Sequence, residues 1–91
     1  MALGFYFSPS GFTREGYDEV IRQLDAAGAG APKGRRSHVA METDGNIQVF
    51  DVWESQEDFE AFGATLLPIM AAAGADPGEP MVSPVYNVID G

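Results

Sequence analysis

The stretch Val49-Phe50-Asp51-Val52-Trp53-Glu54-Ser55-Gln56-Glu57-Asp58-Phe59-Glu60-Ala61-Phe62 decides the fold of this chain. Its first half is rich in β-branched and aromatic residues, which favour a strand. Ser55 with Asp58 three residues later is typical of a helix start, because the serine side chain caps the free amide of the third helical residue. The stretch therefore predicts a strand that runs directly into a capped helix.

The flanking sequence supplies a second helix and three more strands. Thr13 is a candidate N-cap for a helix that Gly28 to Pro32 ends, and Phe12 and Tyr17 fit a hydrophobic staple across it. Asp44-Gly45 predicts a two-residue type I′ hairpin turn. The predicted strands cover residues 2–8, 37–43, 46–54 and 81–89. We expect Pro68 to kink or break the second helix, and Pro84 to confine the last strand to an edge or a bulge.

The order βαββαβ predicts an α+β, ferredoxin-like domain over residues 1–91, with a four-stranded antiparallel sheet and two helices on one face. A sheet with water on its other face should alternate apolar and polar residues. The first and third strands alternate poorly, with Phe50 and Val52 on the face away from Val49. We therefore expect that face to pack on a second copy of the chain, since a bare apolar patch of several hundred Å² would be sticky.

Composition excludes several function classes. The net charge is −9, and residues 37–91 carry ten acidic residues and no basic one, so we expect neither nucleic acid nor a membrane surface as a partner. There is no cysteine and one histidine, which excludes thiolate sites and histidine-rich metal sites. We predict no metal and no cofactor. No signal peptide is visible, so a cytoplasmic location is expected.

The segment Asp51-Val52-Trp53-Glu54-Ser55, followed by Glu57 and Phe59, resembles the dimeric α/β-barrel superfamily, and most closely its antibiotic-biosynthesis-monooxygenase-like members. The resemblance implies a homodimer whose two sheets face each other, with a pocket between sheet and helices in each subunit. It implies activities from cofactor-independent oxygenation to isomerisation and plain ligand binding. The second helix lacks the histidine that the haem-degrading branch uses.

The hairpin turn fixes which residues share a face. If Thr43 is opposite Asn46, then His38 is opposite Asp51 and Arg36 is opposite Trp53. A carboxylate bonded to an imidazole fixes its tautomer and makes it a usable general base. Arg36 is a candidate to bind an anionic group, Trp53 to stack on a flat ligand, and Tyr86 to contact the same ligand. A one-residue shift of the turn would remove this arrangement.

Two functions follow from these residues. One is a homodimeric monooxygenase or isomerase without cofactor, acting on a small aromatic or conjugated organic acid, with His38 and Asp51 catalytic. The alternative is a non-catalytic dimer that binds a small ligand or has a structural role. In that alternative His38 and Asp51 form a satisfied cross-strand pair, Trp53 and Tyr86 pack in the core or at an edge, and Arg36 is solvated. The sequence leaves open whether the protein is an enzyme.

Overall fold

The computed structural model describes residues 1–91 and contains four strands and two helices in the predicted order. The elements are β1 (Leu3–Phe7), α1 (Arg14–Ala26), β2 (Arg35–Thr43), β3 (Asn46–Trp53), α2 (Gln56–Ala72) and β4 (Met81–Pro84). The strands form one antiparallel sheet in the order β2-β3-β1-β4. The predicted α+β, ferredoxin-like topology is confirmed.

The hairpin between β2 and β3 has the predicted two-residue turn. Asp44 has a φ of 52° and Gly45 a φ of 82°, as a type I′ turn requires. Thr43 pairs with Asn46, and the register continues through His38 opposite Asp51. The turn chemistry in the sequence was therefore sufficient to fix this register.

Both helices begin at the predicted caps. The Thr13 hydroxyl accepts a hydrogen bond from the Gly16 amide at 3.2 Å, and the Ser55 hydroxyl accepts one from the Asp58 amide at 3.1 Å. Pro68 does not break α2, which runs without interruption from Gln56 to Ala72. Proline removes one amide donor. The carbonyl left without its partner belongs to Ala64, which is exposed and open to water.

The last strand is shorter than predicted. β4 ends at Pro84, whereas the sequence predicted a strand through Ile89. Pro84 offers no amide to the ladder, and beyond it one further contact continues the pairing, from the Val85 amide to the Ala2 carbonyl at 2.8 Å. The expectation that Pro84 confines this strand to the sheet edge is confirmed, because β4 is outermost in the order.

The core lies between the sheet and the two helices. Its largest fully buried side chains are Trp53 and Phe5. The Phe59 ring stacks on Phe5 at a centroid distance of 4.1 Å and meets the Trp53 indole edge-on at 5.6 Å. These aromatic contacts join β1, β3 and α2. The stretch that decided the fold in the sequence is thus also the centre of the core.

The opposite face of the sheet is apolar and uncovered. Large hydrophobic side chains alternate outward there and remain between 38% and 69% exposed: Val39, Met41, Phe50 and Met81. Gly4 lies beneath the Phe50 ring, where a Cβ atom would come within 3.1 Å of it. No helix of the structure has the length and apolarity needed to cross a membrane.

Candidate functional site

The β2–β3 hairpin brings the only histidine against a buried carboxylate. Nδ1 of His38 lies 2.6 Å from Oδ1 of Asp51. Asp51 is 5% exposed, so its charge must be compensated by hydrogen bonds. The predicted pairing of His38 with Asp51 is confirmed by the strand register as well as by this contact.

Trp53 holds the second oxygen of the same carboxylate. Its Nε1–H donates to Oδ2 of Asp51 at 3.2 Å, and the indole is 0% exposed. The ring packs against Phe59 and Phe62 of α2 and does not line the cavity described below. The expected role of Trp53 as a stacking wall is corrected accordingly, because its side chain is enclosed by the core and fixes Asp51 instead.

Tyr17 completes the group from the opposite side. Its hydroxyl lies 2.7 Å from Nε2 of His38, and the two ring planes are within 9° of parallel. Tyr17 also contacts Phe12 edge-on at a centroid distance of 6.1 Å, as the predicted hydrophobic staple requires. The sequence signal for this contact is the Tyr17 hydroxyl. It is the only polar group in a helical stripe whose other members are aliphatic, and it needs a partner when buried. Those members are Val20, Ile21, Leu24 and Ala27.

The protonation of Tyr17 and the acceptor-only carboxylate of Asp51 together determine which atoms donate. Burial raises the pKa of the Tyr17 phenol, the positive charge of Arg35 opposes this, and the negative charge of Asp51 adds to it. The phenol therefore stays protonated at neutral pH. The Asp51 carboxylate can only accept, so Nδ1 of His38 donates to it. In the neutral form of the imidazole, Nε2 then has no proton and accepts from the Tyr17 hydroxyl. The result is one directed chain of hydrogen bonds from Tyr17 through His38 to Asp51.

The prediction that Arg36 is opposite Trp53 is wrong. A bulge between Arg35 and Ser37 inserts one residue into β2, and Arg35 pairs with Trp53 instead. Arg36 is exposed. An extra residue in one strand changes which side chain points inward, so Arg35 takes the position that the regular register gave to Arg36.

Arg35 is partly buried and is held by two contacts. Its Nη2 donates to the Gly30 carbonyl at 3.0 Å, and its guanidinium carbon lies 5.9 Å from the centre of the Phe62 ring. Tyr86, the other predicted ligand contact, lies beyond β4 in the C-terminal segment and is fully exposed. The structure therefore brings His38 and Asp51 together with Tyr17 and Arg35, and leaves Arg36 and Tyr86 outside.

A mainly apolar cavity of about 70 Å³ lies between the sheet and the helices. Four polar side chains, those of Tyr17, Arg35, His38 and Asp51, line one part of it. The rest of the lining is formed by Phe7, Pro9, Phe12, Val20, Ile21, Leu24, Val49, Phe59, Phe62, Leu66, Met70 and Pro77. Nowhere in the chain do three or more histidine or acidic side chains come close enough together to hold a metal ion.

No family model and no curated protein matches this sequence, whereas solved structures share its fold. SnoaB, a cofactor-independent oxygenase from Streptomyces nogalater, has a TM-score of 0.62 and 17% identity, covering 97% of this chain and 94% of its own. A candidate antibiotic biosynthesis monooxygenase from Chloroflexus aurantiacus J-10-fl gives 0.58 and 20%, covering 99% and 97%. Rv0793 from Mycobacterium tuberculosis gives 0.56 and 17%, covering 98% and 95%. The chain therefore has the fold of these solved structures.

Proposed function

We propose that this chain is a cofactor-independent enzyme that transfers protons on a small aromatic or conjugated organic acid. The observation that carries the proposal is the hydrogen-bonded chain Asp51–His38–Tyr17, which ends at an apolar cavity. Paired groups of this kind are typical of general acid–base sites, since the carboxylate orients the imidazole and stabilises its charged form.

Two protons move together along this chain in one step. A proton leaves the substrate for the Tyr17 oxygen as the Tyr17 proton passes to Nε2 of His38. The imidazolium that forms lies between Tyr17 and the Asp51 carboxylate, 2.6 Å from the latter. Trp53 keeps Asp51 in the orientation that this requires. Tyr17 is therefore the group that meets the substrate, and His38 is the base that finally holds the proton.

Proton abstraction is the shared first step of two reactions. Returning the proton to a different atom isomerises the substrate. Alternatively, the electron-rich anion reduces dioxygen, which is then a co-reactant of an oxygenation. The similarity in fold to SnoaB, a cofactor-independent oxygenase, supports the second route, although folds of this kind host more than one function. Dioxygen consumption distinguishes the two routes.

The cavity limits the size of the substrate. A cavity of about 70 Å³ holds a few water molecules, whereas an apolar cavity that binds benzene has a volume of about 150 Å³. A ring-sized substrate must therefore displace part of the lining. Pro9 and Phe12 in the β1–α1 connection and Pro77 in the α2–β4 connection are the lining residues outside regular elements, and we expect them to move.

Phenylpyruvate is a suitable probe of this activity, because its C3 protons are acidic. The enolate that forms when one of them leaves is conjugated with the aromatic ring. We expect the protein to accelerate exchange of these protons in D₂O, followed by proton NMR. Tyr17→Phe and His38→Gln should each slow the catalysed exchange by roughly 100-fold, the scale of one acid–base contribution. Tyr86→Phe, which removes an exposed hydroxyl, is the matched control and should exchange at the wild-type rate.

Two results would contradict the proposal. If the C3 protons exchange no faster with the protein than in buffer, then phenylpyruvate-like acids are not substrates and proton abstraction is not the activity. Exchange at the wild-type rate in Tyr17→Phe would remove the relay and leave His38 to act directly. An oxygen electrode reading under the same conditions assigns the reaction to the isomerase or the oxygenase route.

A non-catalytic role is the second candidate, and one observation favours it. The same hydrogen bonds connect α1 to the edge strand β2, and no buried polar side-chain atom is left without a partner. These bonds would stabilise the fold without any chemistry. In that case Tyr17→Phe would lower the melting temperature and change no ligand response.

We further propose that the chain is a homodimer in which the uncovered sheet faces meet. The support is the exposed apolar surface of Val39, Met41 and Phe50 opposite the helices. Light scattering should give twice the chain mass of 9.7 kDa. Phe50→Glu should produce monomers, and Leu67→Glu, at an exposed position of α2, should not. A wild-type protein that stays monomeric at high concentration contradicts this.

A further inference from the structure

Arg35 is the only cationic side chain that lines the cavity, and no carboxylate pairs with it. The two arginine–carboxylate ion pairs of the structure are Arg14–Glu42 and Arg22–Glu19. The side chain of Arg35 makes one hydrogen bond, to the Gly30 carbonyl. A guanidinium has five N–H donors, and no buried side-chain nitrogen is left without a partner. The remaining donors of Arg35 are therefore accessible from the cavity or the solvent.

The absence of a partner is informative because acidic groups are abundant. The protein has a net charge of −9, and a partly buried charge is costly unless it is paired. Asp51 lines the same cavity, but its two oxygens are engaged by His38 and Trp53. A planar anion is the group that would satisfy Arg35, since its fork of donors matches a carboxylate with two parallel hydrogen bonds.

Arg35 also limits the negative charge that the cavity can accept. It is one guanidinium in a mainly apolar lining, and the Asp51 carboxylate is already bonded to His38 and Trp53. One carboxylate would be matched by Arg35, whereas the second charge of a dianion would have no guanidinium or ammonium partner in the cavity of an acidic protein. The lining aromatic and aliphatic residues, among them Phe59 and Leu66, favour a ligand whose remaining surface is apolar.

We propose that Arg35 is the charge-selecting residue of the cavity, binding the carboxylate of a monoanionic aromatic acid. The apolar body of that acid lies along the cavity wall formed by α1 and α2. This inference names the ligand class of the proposed enzyme, and the orientation of the ligand toward Tyr17 rests on that proposed function. The selection of charge by Arg35 does not.

Three small probes of similar size test the selection: benzoate as the monoanion, benzamide as its neutral counterpart, and phthalate as the dianion. Each is titrated at millimolar concentrations into the folded, full-length protein, with binding followed by amide chemical shifts in NMR. The wild type should bind benzoate more tightly than benzamide or phthalate. Arg35→Gln should weaken benzoate binding by roughly 10- to 100-fold, the scale of a lost charge-assisted contact, with little change for benzamide.

Two further variants separate binding at Arg35 from a change in net charge and from the loss of the planar guanidinium. Arg36→Gln makes the same change in net charge one residue away, at an exposed position, and should keep the benzoate preference. Arg35→Lys keeps the charge without the planar fork and should retain a reduced preference. It also reports on binding if Arg35→Gln unfolds. Melting temperatures of all variants identify any that fail to fold.

Three outcomes would overturn the proposal. They are no preference of the wild type for benzoate over benzamide, equal losses in Arg35→Gln and Arg36→Gln, and stronger binding of phthalate than of benzoate. Tyr17→Phe distinguishes this inference from the proposed function. If that variant keeps the benzoate preference while the wild type shows no proton exchange on phenylpyruvate, the proposed enzyme fails and the anion site stands.

Discussion

The Tyr17 hydroxyl lies 2.7 Å from Nε2 of His38, and this contact joins the first helix to the edge strand of the sheet. It occupies the nitrogen that a catalytic histidine would otherwise present to a ligand. A His–Asp pair alone suggests direct proton abstraction by His38. With Tyr17 in place, the cavity is lined by a phenol that is hydrogen-bonded to the His38 imidazole, which is in turn bonded to the buried Asp51 carboxylate. Four predictions test this arrangement and the fold that holds it.

The first prediction concerns the tautomer of His38. We expect the neutral imidazole to carry its proton on Nδ1, because Asp51 accepts there and Tyr17 donates to Nε2. Long-range nitrogen–proton NMR on ring-labelled protein measures this directly. Asp51→Asn should shift the equilibrium toward the Nε2–H form. A wild-type ring protonated on Nε2 would contradict the proposed direction of the hydrogen-bonded chain.

The second prediction is a loss of stability at alkaline pH that depends on Tyr17. Burial raises the pKa of Tyr17 in the folded protein above the ordinary value of 10.0. The folded chain thus holds the phenolic proton more tightly than the unfolded chain does. The resulting stability is complete below pH 10 or so and is lost as pH rises through the folded-state pKa.

Urea denaturation at a series of pH values from about 9 to about 11.5, bracketing the ordinary tyrosine pKa, measures this effect. Tyr17→Phe should lose less stability than the wild type over this range. Tyr86→Phe, which changes an exposed side chain, should follow the wild-type curve. Identical curves for Tyr17→Phe and the wild type would show that Tyr17 ionises no differently in the two states.

The third prediction separates two contributions of Trp53. Trp53→Phe removes core contacts and the hydrogen bond to Oδ2 of Asp51, and should lower the free energy of unfolding by about 2–4 kcal/mol. The hydrogen bond to a charged group is worth about 1.5–3 kcal/mol of this. In an Asp51→Asn background the cost of Trp53→Phe should therefore fall by about 1 kcal/mol or more. An equal cost in both backgrounds would mean that Trp53 only packs.

The fourth prediction uses two glycines with opposite backbone roles. Gly45 has a φ of 82° in the hairpin turn, and Gly63 lies inside α2 with no heavy atom within 4 Å of an added Cβ. Gly45→Ala should destabilise the protein by about 1 kcal/mol, because residues with a Cβ are strained at positive φ. Gly63→Ala should stabilise it by about 0.5–1 kcal/mol. Chemical denaturation measures both, and each variant is the control for the other.

The hairpin register was predictable because its causes are local. Asp44-Gly45 requires positive φ at two successive residues, and the side chains of the two strands then follow with a period of two. The pairing of His38 with Asp51 needed no further information. The helix caps at Thr13 and Ser55 are equally local, since each depends on an amide three residues away.

The bulge at Arg35–Arg36 was not predictable in the same way. It lies eight residues or more from the turn, at the far end of β2 from Asp44, and nothing in the local composition required an extra residue there. Its effect is to exchange the candidate anion contact from Arg36 to Arg35. Pro84 in the sequence indicates an edge strand, and β4 does lie at the edge of the sheet. The length of β4 was harder to predict, because it depends on whether pairing with β1 continues beyond Pro84. That pairing continues through the Val85 amide alone.

The sequence by itself determined the order of the elements, their caps, the hairpin register and the pairing of His38 with Asp51, because these depend on residues close together in the chain. Only the tertiary structure decided that Tyr17 meets His38, that Trp53 is enclosed behind Asp51, and that Arg35 lines the cavity. The Tyr17–His38 contact joins residues 21 positions apart. The surroundings of Trp53 and Arg35 depend on where Phe62 of α2 packs over the sheet. Such packing is set by the fit of whole elements, and no local spacing in the sequence encodes it.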